Sequence, residues 1–417
     1  MSLVTSLIMH QMRIPIIILI LGYSISILGM VITPGVDEQG NPWHMSFFDA
    51  FYFVSFTATT IGFGEIPLPF SSAQRTWALV TVYISVVTWF YSLGKIISLV
   101  QDPLFRDALK KNIFSKQITR IPDTFILICG FGETGNALVK ALTERNIHAV
   151  VIDKDISIIQ TLPLQEFQLL VPGFMGDARD PDILIQAGLQ HEKCAAVIAV
   201  TASDESNLKI AVVSKLLHPD ICVVCRSEFA DYEDNMFSFG TDFVVNPFDT
   251  FANIFAMAMY SPGLHLLYDW LTGVPDTDLT NPIYLEKGHW IICGFGRFGR
   301  SLYQQLLNNN IQVTIIDPSE EKREAFLSQP ENKHNDFIIG TGFDEHTLTV
   351  AGTEEAAGLI SGTDNDTNNL SIIMTAREIN PSLFIVARHN KKSNEKLFAA
   401  TKANIIMQPS EIIARKI

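Results

Sequence analysis

Phe125-Ile126-Leu127-Ile128-Cys129-Gly130-Phe131-Gly132-Glu133-Thr134-Gly135 returns 164 positions later as His289-Trp290-Ile291-Ile292-Cys293-Gly294-Phe295-Gly296-Arg297-Phe298-Gly299. Each stretch is an apolar run of strand length that ends in G-x-G-x-x-G and opens an amphipathic helix. The spacing holds further out. Val150-Val151-Ile152-Asp153 pairs with Thr314-Ile315-Ile316-Asp317, Gly176 with Gly340, and Ala187-Gly188 with Ala351-Gly352. After a two-residue deletion, Val224-Cys225-Arg226 matches Val386-Ala387-Arg388, and Asn246-Pro247 matches Gln408-Pro409. A duplicated domain explains this register.

Strand, glycine turn, helix, second strand and a terminal acid make up the dinucleotide-binding arrangement. In each copy the first glycine (Gly130, Gly294) makes the tight turn. The second (Gly132, Gly296) lets backbone approach a pyrophosphate, and the third (Gly135, Gly299) lets the helix pack closely. The helix N-terminus adds amides and partial positive charge. Asp153 and Asp317 are placed to accept from a ribose hydroxyl and to repel a 2′-phosphate, which favours NAD or an adenine nucleotide over NADP. Arg297 could reach a phosphate in the second copy, whereas Glu133 makes the same edge of the first less welcoming to anions. Arg226 and Arg388 close their strands and suit a phosphate, including one held by a neighbouring lobe.

The chain ahead of the repeat differs in composition. Of 417 residues 47% are hydrophobic and 18% charged, with net charge −14. Residues 1–100 hold only Arg13, Arg75, Lys95, Asp37, Glu38, Asp49 and Glu65 as charges. The acidic balance of the remainder argues against nucleic acid as the main partner. Two apolar runs, Ile14 to Ile32 and Trp77 to Val100, are long enough to cross a bilayer. Arg106, Lys110, Lys111, Lys116 and Arg120 follow the second run. The positive-inside rule then puts the N-terminus and everything past Val100 in the cytoplasm. Lys95 can snorkel to that face.

Between the runs, Ser46-Phe47-Phe48-Asp49 has capping-box spacing and opens an aromatic stretch too short to span. A re-entrant helix fits, ending at Thr57-Ala58-Thr59-Thr60 before Ile61-Gly62-Phe63-Gly64-Glu65. A dehydrated cation crossing a membrane needs oxygens in place of water. Main-chain carbonyls can supply them where glycine permits unusual dihedrals.

Thr60-Ile61-Gly62-Phe63-Gly64 resembles the TVGYG filter of potassium channels. Phe63 lacks the tyrosine hydroxyl of that signature, and Glu65 stands where it continues with Asp. With the duplicated lobes behind it, nearly the whole chain resembles the regulator-of-potassium-conductance (RCK, TrkA-N-like) channels. The resemblance implies an α-helical two-span pore domain followed by two tandem α/β Rossmann-like RCK domains. It also implies potassium on the carbonyls of Thr60, Ile61, Gly62 and Phe63, and a homotetramer in the cell membrane with a gating ring of eight lobes. Family inner helices often hinge at a midway glycine; here Gly94 lies near the cytoplasmic end.

The expected organisation is pore domain 1–100, linker 101–124, first lobe 125–247, crossover helices and linker 248–285, second lobe 286–409, and the start of a truncated helix 410–417. The matching arm of the second copy is therefore expected to be missing. Calcium-gated relatives place carboxylates near Val223–Glu228. This chain has Arg226 there and keeps Glu228, its one candidate calcium ligand, so nucleotide gating ranks ahead of calcium. The acids Asp231, Glu233, Asp234, Asp364 and Asp366 read as solvated charges. Cys222 and Cys225 lie on one strand and face opposite sides, which is awkward for a shared metal. A ligand-gated potassium channel, not an enzyme, is the leading reading. A membrane-anchored NAD oxidoreductase and a nucleotide-binding subunit of another transporter are the alternatives.

Overall fold

The computed structural model describes residues 3–264 and 287–417, in two compact units that divide after Lys116. In the first unit, α1 (Leu3–Ile32) and α3 (Ser72–Gln101) are the two helices long and apolar enough to cross a membrane. Between them lie a two-residue ribbon, β1 (Gly35–Val36) with β2 (Pro42–Trp43), and the short helix α2 (Phe47–Ala58). Ser46 caps α2 by accepting from the Asp49 amide at 3.1 Å. The reciprocal capping box belongs instead to Ser71 and Gln74 at the start of α3. Met30, Met45, Ala50, Phe53 and Val54 form the buried core of this unit. Trp77 packs beside them and donates its indole N–H to the Ser26 carbonyl at 3.1 Å. The stretch expected as a linker is mostly the helix α4 (Pro103–Thr119).

The second unit contains two six-stranded parallel sheets. The first runs in the order β5-β4-β3-β6-β7-β8. Its strands are β3 (Phe125–Cys129), β4 (His148–Asp153), β5 (Gly173–Met175), β6 (Cys194–Ala199), β7 (Cys222–Arg226) and β8 (Phe243–Val245). The second repeats the order as β11-β10-β9-β12-β13-β14. It is built from β9 (Trp290–Cys293), β10 (Val313–Asp317), β11 (Asp336–Ile339), β12 (Gly358–Ser361), β13 (Phe384–Arg388) and β14 (Ile405–Met407). This is the doubly wound order 3-2-1-4-5-6, whose ligand crevice opens where the order reverses, beside the first strand.

The lobes complete each other. Helix α10 (Pro247–Tyr260) leaves the first lobe and buries Phe248, Phe251 and Phe255 against Trp290, Phe298 and Leu302 of the second. The rest of the expected apolar stretch, 265–271, and the linker on to 286 lie outside the described residues. Helix α16 (Pro409–Lys416) leaves the second lobe and buries Ile413 against Leu138 and Val139 of the first. The arm expected to be missing is thus short but present, and it makes the counterpart contact. Ile413 is fully buried, so Ile413→Ala should cost about 2–5 kcal/mol. Calorimetry should register this as a lower melting temperature for the second unit.

Candidate functional site

In the pore loop, positive φ recurs at every second residue: +62° at Thr60, +68° at Gly62 and +95° at Gly64. An extended strand points successive carbonyls to opposite sides, whereas alternating the sign of φ brings successive peptide groups to one side. Sequence reasoning assigned this freedom to the glycines; the β-branched Thr60 shares it, at a steric cost. The loop is tied to α2 because the amides of Ile61 and Gly62 donate to the Phe56 carbonyl, at 2.9 and 3.4 Å. Phe63 has no hydroxyl to donate, and ring packing takes over. Its ring lies 5.5 Å from Phe56, edge-on, and is stacked 6.3 Å from Tyr52. Glu65 closes the loop by pairing with Arg75 at 2.8 Å and accepting from the Phe70 amide at 2.9 Å. Helix α3 runs unbroken through Gly94.

In the second unit, a cavity of about 670 Å³ opens at the C-terminal ends of the first lobe's strands. Gly132 caps helix α5 (Glu133–Glu144) with no side-chain partner among the described residues, which leaves the first amides available to an anion. Glu133 lines the same edge. The Asp153 carboxylate accepts from the amides of Phe131 and Asp155 at 2.7 and 2.9 Å, which fixes it at the rim. Asp177 and Arg179 pair at 2.6 Å, and the guanidinium holds the Asp177 carboxyl down to about 2.

The far wall comes from the other lobe. Arg388, Asn390, Pro409 and Ser410 of the second copy line this first-lobe cavity together with Arg226 and Glu228. Arg226 and Arg297 both pair with the Glu228 carboxylate, whose side chain is 11% exposed. Two guanidiniums on its one carboxylate leave Glu228 no role as a calcium ligand, which corrects that expectation. Among the described residues no three His, Cys, Asp or Glu side chains gather as a metal site. Arg297 is corrected too. It points away from its own glycine turn, onto Glu228 and over the rings of Phe229 and Phe248 at 5.0 and 5.7 Å. Arg388 pairs with Asp364 at 2.5 Å and lies 4.8 Å over Phe248.

The second lobe has a smaller cavity, about 310 Å³, around Gly294, Gly296, Asp317, Thr363 and Asp364. Asp317 accepts from the amides of Phe295 and Ser319, as its counterpart does from equivalent amides, but it is also held by the Lys322 ammonium at 2.8 Å. The acid that would take a ribose is therefore engaged in the second copy, while Asp153 has no such cation among the described residues.

Sequence reasoning overlooked a repeated brace under both cavities. The Asn207 side chain bonds the amide, hydroxyl and carbonyl of Thr201 and the carbonyl of Arg226. Asn369 does the same for Thr363 and Arg388. Asp204 accepts from the amides of Glu228 and Phe229, and Asp366 from those of Asn390 and Lys391. Asp366 is buried, not a solvated charge as expected. The string T-x-[SN]-D-x-x-N, at Thr201–Asn207 and again at Thr363–Asn369, was the available signal. Cys225 and Cys222 do face opposite ways. Cys225 lies 3.7 Å from the Asn207 carbonyl, with its thiol pushed up to about 12 by burial, and Cys222 packs with the Leu138 cluster.

Comparison with known proteins agrees with these features. Residues 126–247 and 290–409 each match the TrkA-N domain, and residues 14–102 match an ion channel family. Potassium channel protein 1 of Methanocaldococcus jannaschii is 28% identical over 55% of this chain and 66% of its own length. Probable potassium channel protein 2 of the same organism is 31% identical over 31% of this chain and 38% of its own. In both cases the match spans less than two thirds of the relative. A crystal structure of GsuK bound to ADP shares the fold at a TM-score of 0.61, with 19% identity, covering 99% of this chain and 97% of that one. The GsuK channel bound to NAD gives 0.60 with 17% identity, covering 99% and 83%. The apolar head makes this a membrane protein, and the chain belongs to the family of two-span potassium-channel proteins that carry tandem TrkA-N, or RCK, domains.

Proposed function

We propose that the protein is a potassium-selective channel whose conduction is set by an adenine nucleotide or NAD held in the first lobe. The alternation of positive φ through Thr60, Gly62 and Gly64, between two membrane-length helices, carries this reading. Four copies around one axis would place the carbonyls of Thr60, Ile61, Gly62 and Phe63 where a dehydrated potassium ion meets oxygens on all sides. The basic run after α3 supports a cytoplasmic location for both lobes. In this reading the nucleotide serves as a ligand and not as a co-substrate.

Several features support the first cavity as the nucleotide site. Its size, the open amides at Gly132, Asp153 at the rim and arginines on the far wall all fit a ribose–pyrophosphate. GsuK, which shares the fold, has solved structures bound to ADP and to NAD. The second cavity is smaller, and its acid is bound by Lys322. Potassium flux into liposomes containing the purified protein, with and without ADP or NAD, tests the proposal. We expect potassium over sodium selectivity and a flux that changes with nucleotide. Equal sodium and potassium flux would remove the selectivity, and indifference to both nucleotides would remove the gating.

A further inference from the structure

The far wall of the first cavity holds two guanidiniums, Arg226 half-buried and Arg388 buried, and they are not equally committed. Arg226 shares Glu228 with Arg297, a carboxylate almost closed to solvent. Breaking that set would leave buried charge unpaired, which is costly. Arg388 is different. Its side chain is 8% exposed, but the carboxylate it pairs with among the described residues, Asp364, is 70% exposed. A pair whose acid is that well hydrated is weak. The Nε of Arg388, like that of Arg226, has no hydrogen-bond partner among the described residues, so the exposed partner acid is what sets Arg388 apart. A buried guanidinium with an unused donor, lining a cavity that begins at an open helix N-terminus, calls for a second acceptor. A phosphate oxygen supplies one in the planar geometry a guanidinium favours.

Asp364 is itself part of the wall of the second cavity. Arg388 therefore stands between the two cavities, lining one and bonded to an acid of the other. We propose that Arg388 reads the phosphate beyond the one held at the glycine turn of the first lobe, and that it does so by giving up Asp364. This rests on the nucleotide reading above and deepens it. The ligand class narrows to nucleotides with at least two linked phosphates, and occupancy of the first cavity changes the charge in the wall of the second. Phe248, on which Arg388 lies, belongs to α10, so the exchanged helix borders the same event.

The test is calorimetric titration of the full-length protein in detergent with AMP and with ADP. The wild type should bind ADP at least about tenfold more tightly than AMP, as one added charge-assisted contact of roughly 1.5–3 kcal/mol implies. Arg388→Met should bring ADP down to the AMP level and leave AMP within about twofold. Asp364→Asn, which replaces a 70% exposed carboxylate, should raise ADP affinity and leave AMP unchanged. Adding it to Arg388→Met should change nothing further. An ADP-to-AMP ratio unaltered by Arg388→Met, or unaltered by Asp364→Asn, overturns the proposal while the nucleotide reading stands. Failure of the wild type to bind either nucleotide overturns both.

Discussion

A Gly62→Ala channel is expected to pass no measurable potassium, a loss of at least about a hundredfold, while binding ADP like the wild type. The reason lies in the backbone. A Cβ on Gly62 would meet nothing within 4 Å among the described residues, so packing within the subunit does not oppose the change. The dihedral does, because φ is +68° and an L-residue in that region costs about 1–2 kcal/mol. Four subunits would each carry that cost at one level of the filter. Rotating back to negative φ would relieve it by turning a peptide plane, which takes a carbonyl away from the ion path. Potassium uptake by reconstituted vesicles, beside ADP titration of the same preparation, reads both halves. Wild-type flux in this variant would contradict the assignment of the loop.

The second large effect separates two glycines of one motif. Gly132 has φ −74°, a conformation open to any residue, and a Cβ there would project into empty space among the described residues. Gly132→Val should therefore leave the melting temperature nearly unchanged while filling the place a pyrophosphate needs. ADP affinity should fall by roughly thirtyfold or more, about 2 kcal/mol. A Cβ on Gly135 would lie 2.1 Å from the Gly130 carbonyl oxygen, which is main chain and cannot swing aside. Gly135→Ala should destabilise the lobe by about 1–3 kcal/mol. At roughly 2–4 °C per kcal/mol, calorimetry resolves that change. Gly296→Val, the equivalent change in the second copy, should leave ADP affinity within about twofold. A thirtyfold loss there would move the nucleotide to the second lobe.

The Rossmann-like class of both lobes was legible in the sequence, because strand and helix periodicity and a repeated glycine turn are local signals. The pore loop was legible for the same reason: residues 60–64 act through their own backbone. What could not be read were directions across the lobe interface. Arg297 opens its helix right after the second glycine, and nothing nearby says that Glu228, far off in sequence, will claim it. Lys322 lies five residues past Asp317, a distance that does not by itself fix a contact. The fate of Glu228 depended on where Arg297 would point. The Thr–Asp–Asn brace was different, since it is local and repeated, and a search of the duplicated register for polar identities would have found it.

The exchanged helices have a consequence for how the two halves could change over time. A pair of separate identical chains would have to accept any alteration twice, once in each pocket. Covalent tandem copies are released from that rule, because each position exists in two independent versions. Glu228 in one half corresponds to Asn390 in the other, and Asp153, with no cation partner among the described residues, corresponds to Asp317, which is held by Lys322. One half can specialise in holding a small molecule while its sibling lends structural support. The mutual embrace of α10 and α16 then keeps both in place, since discarding either would leave the survivor with an uncovered apolar face.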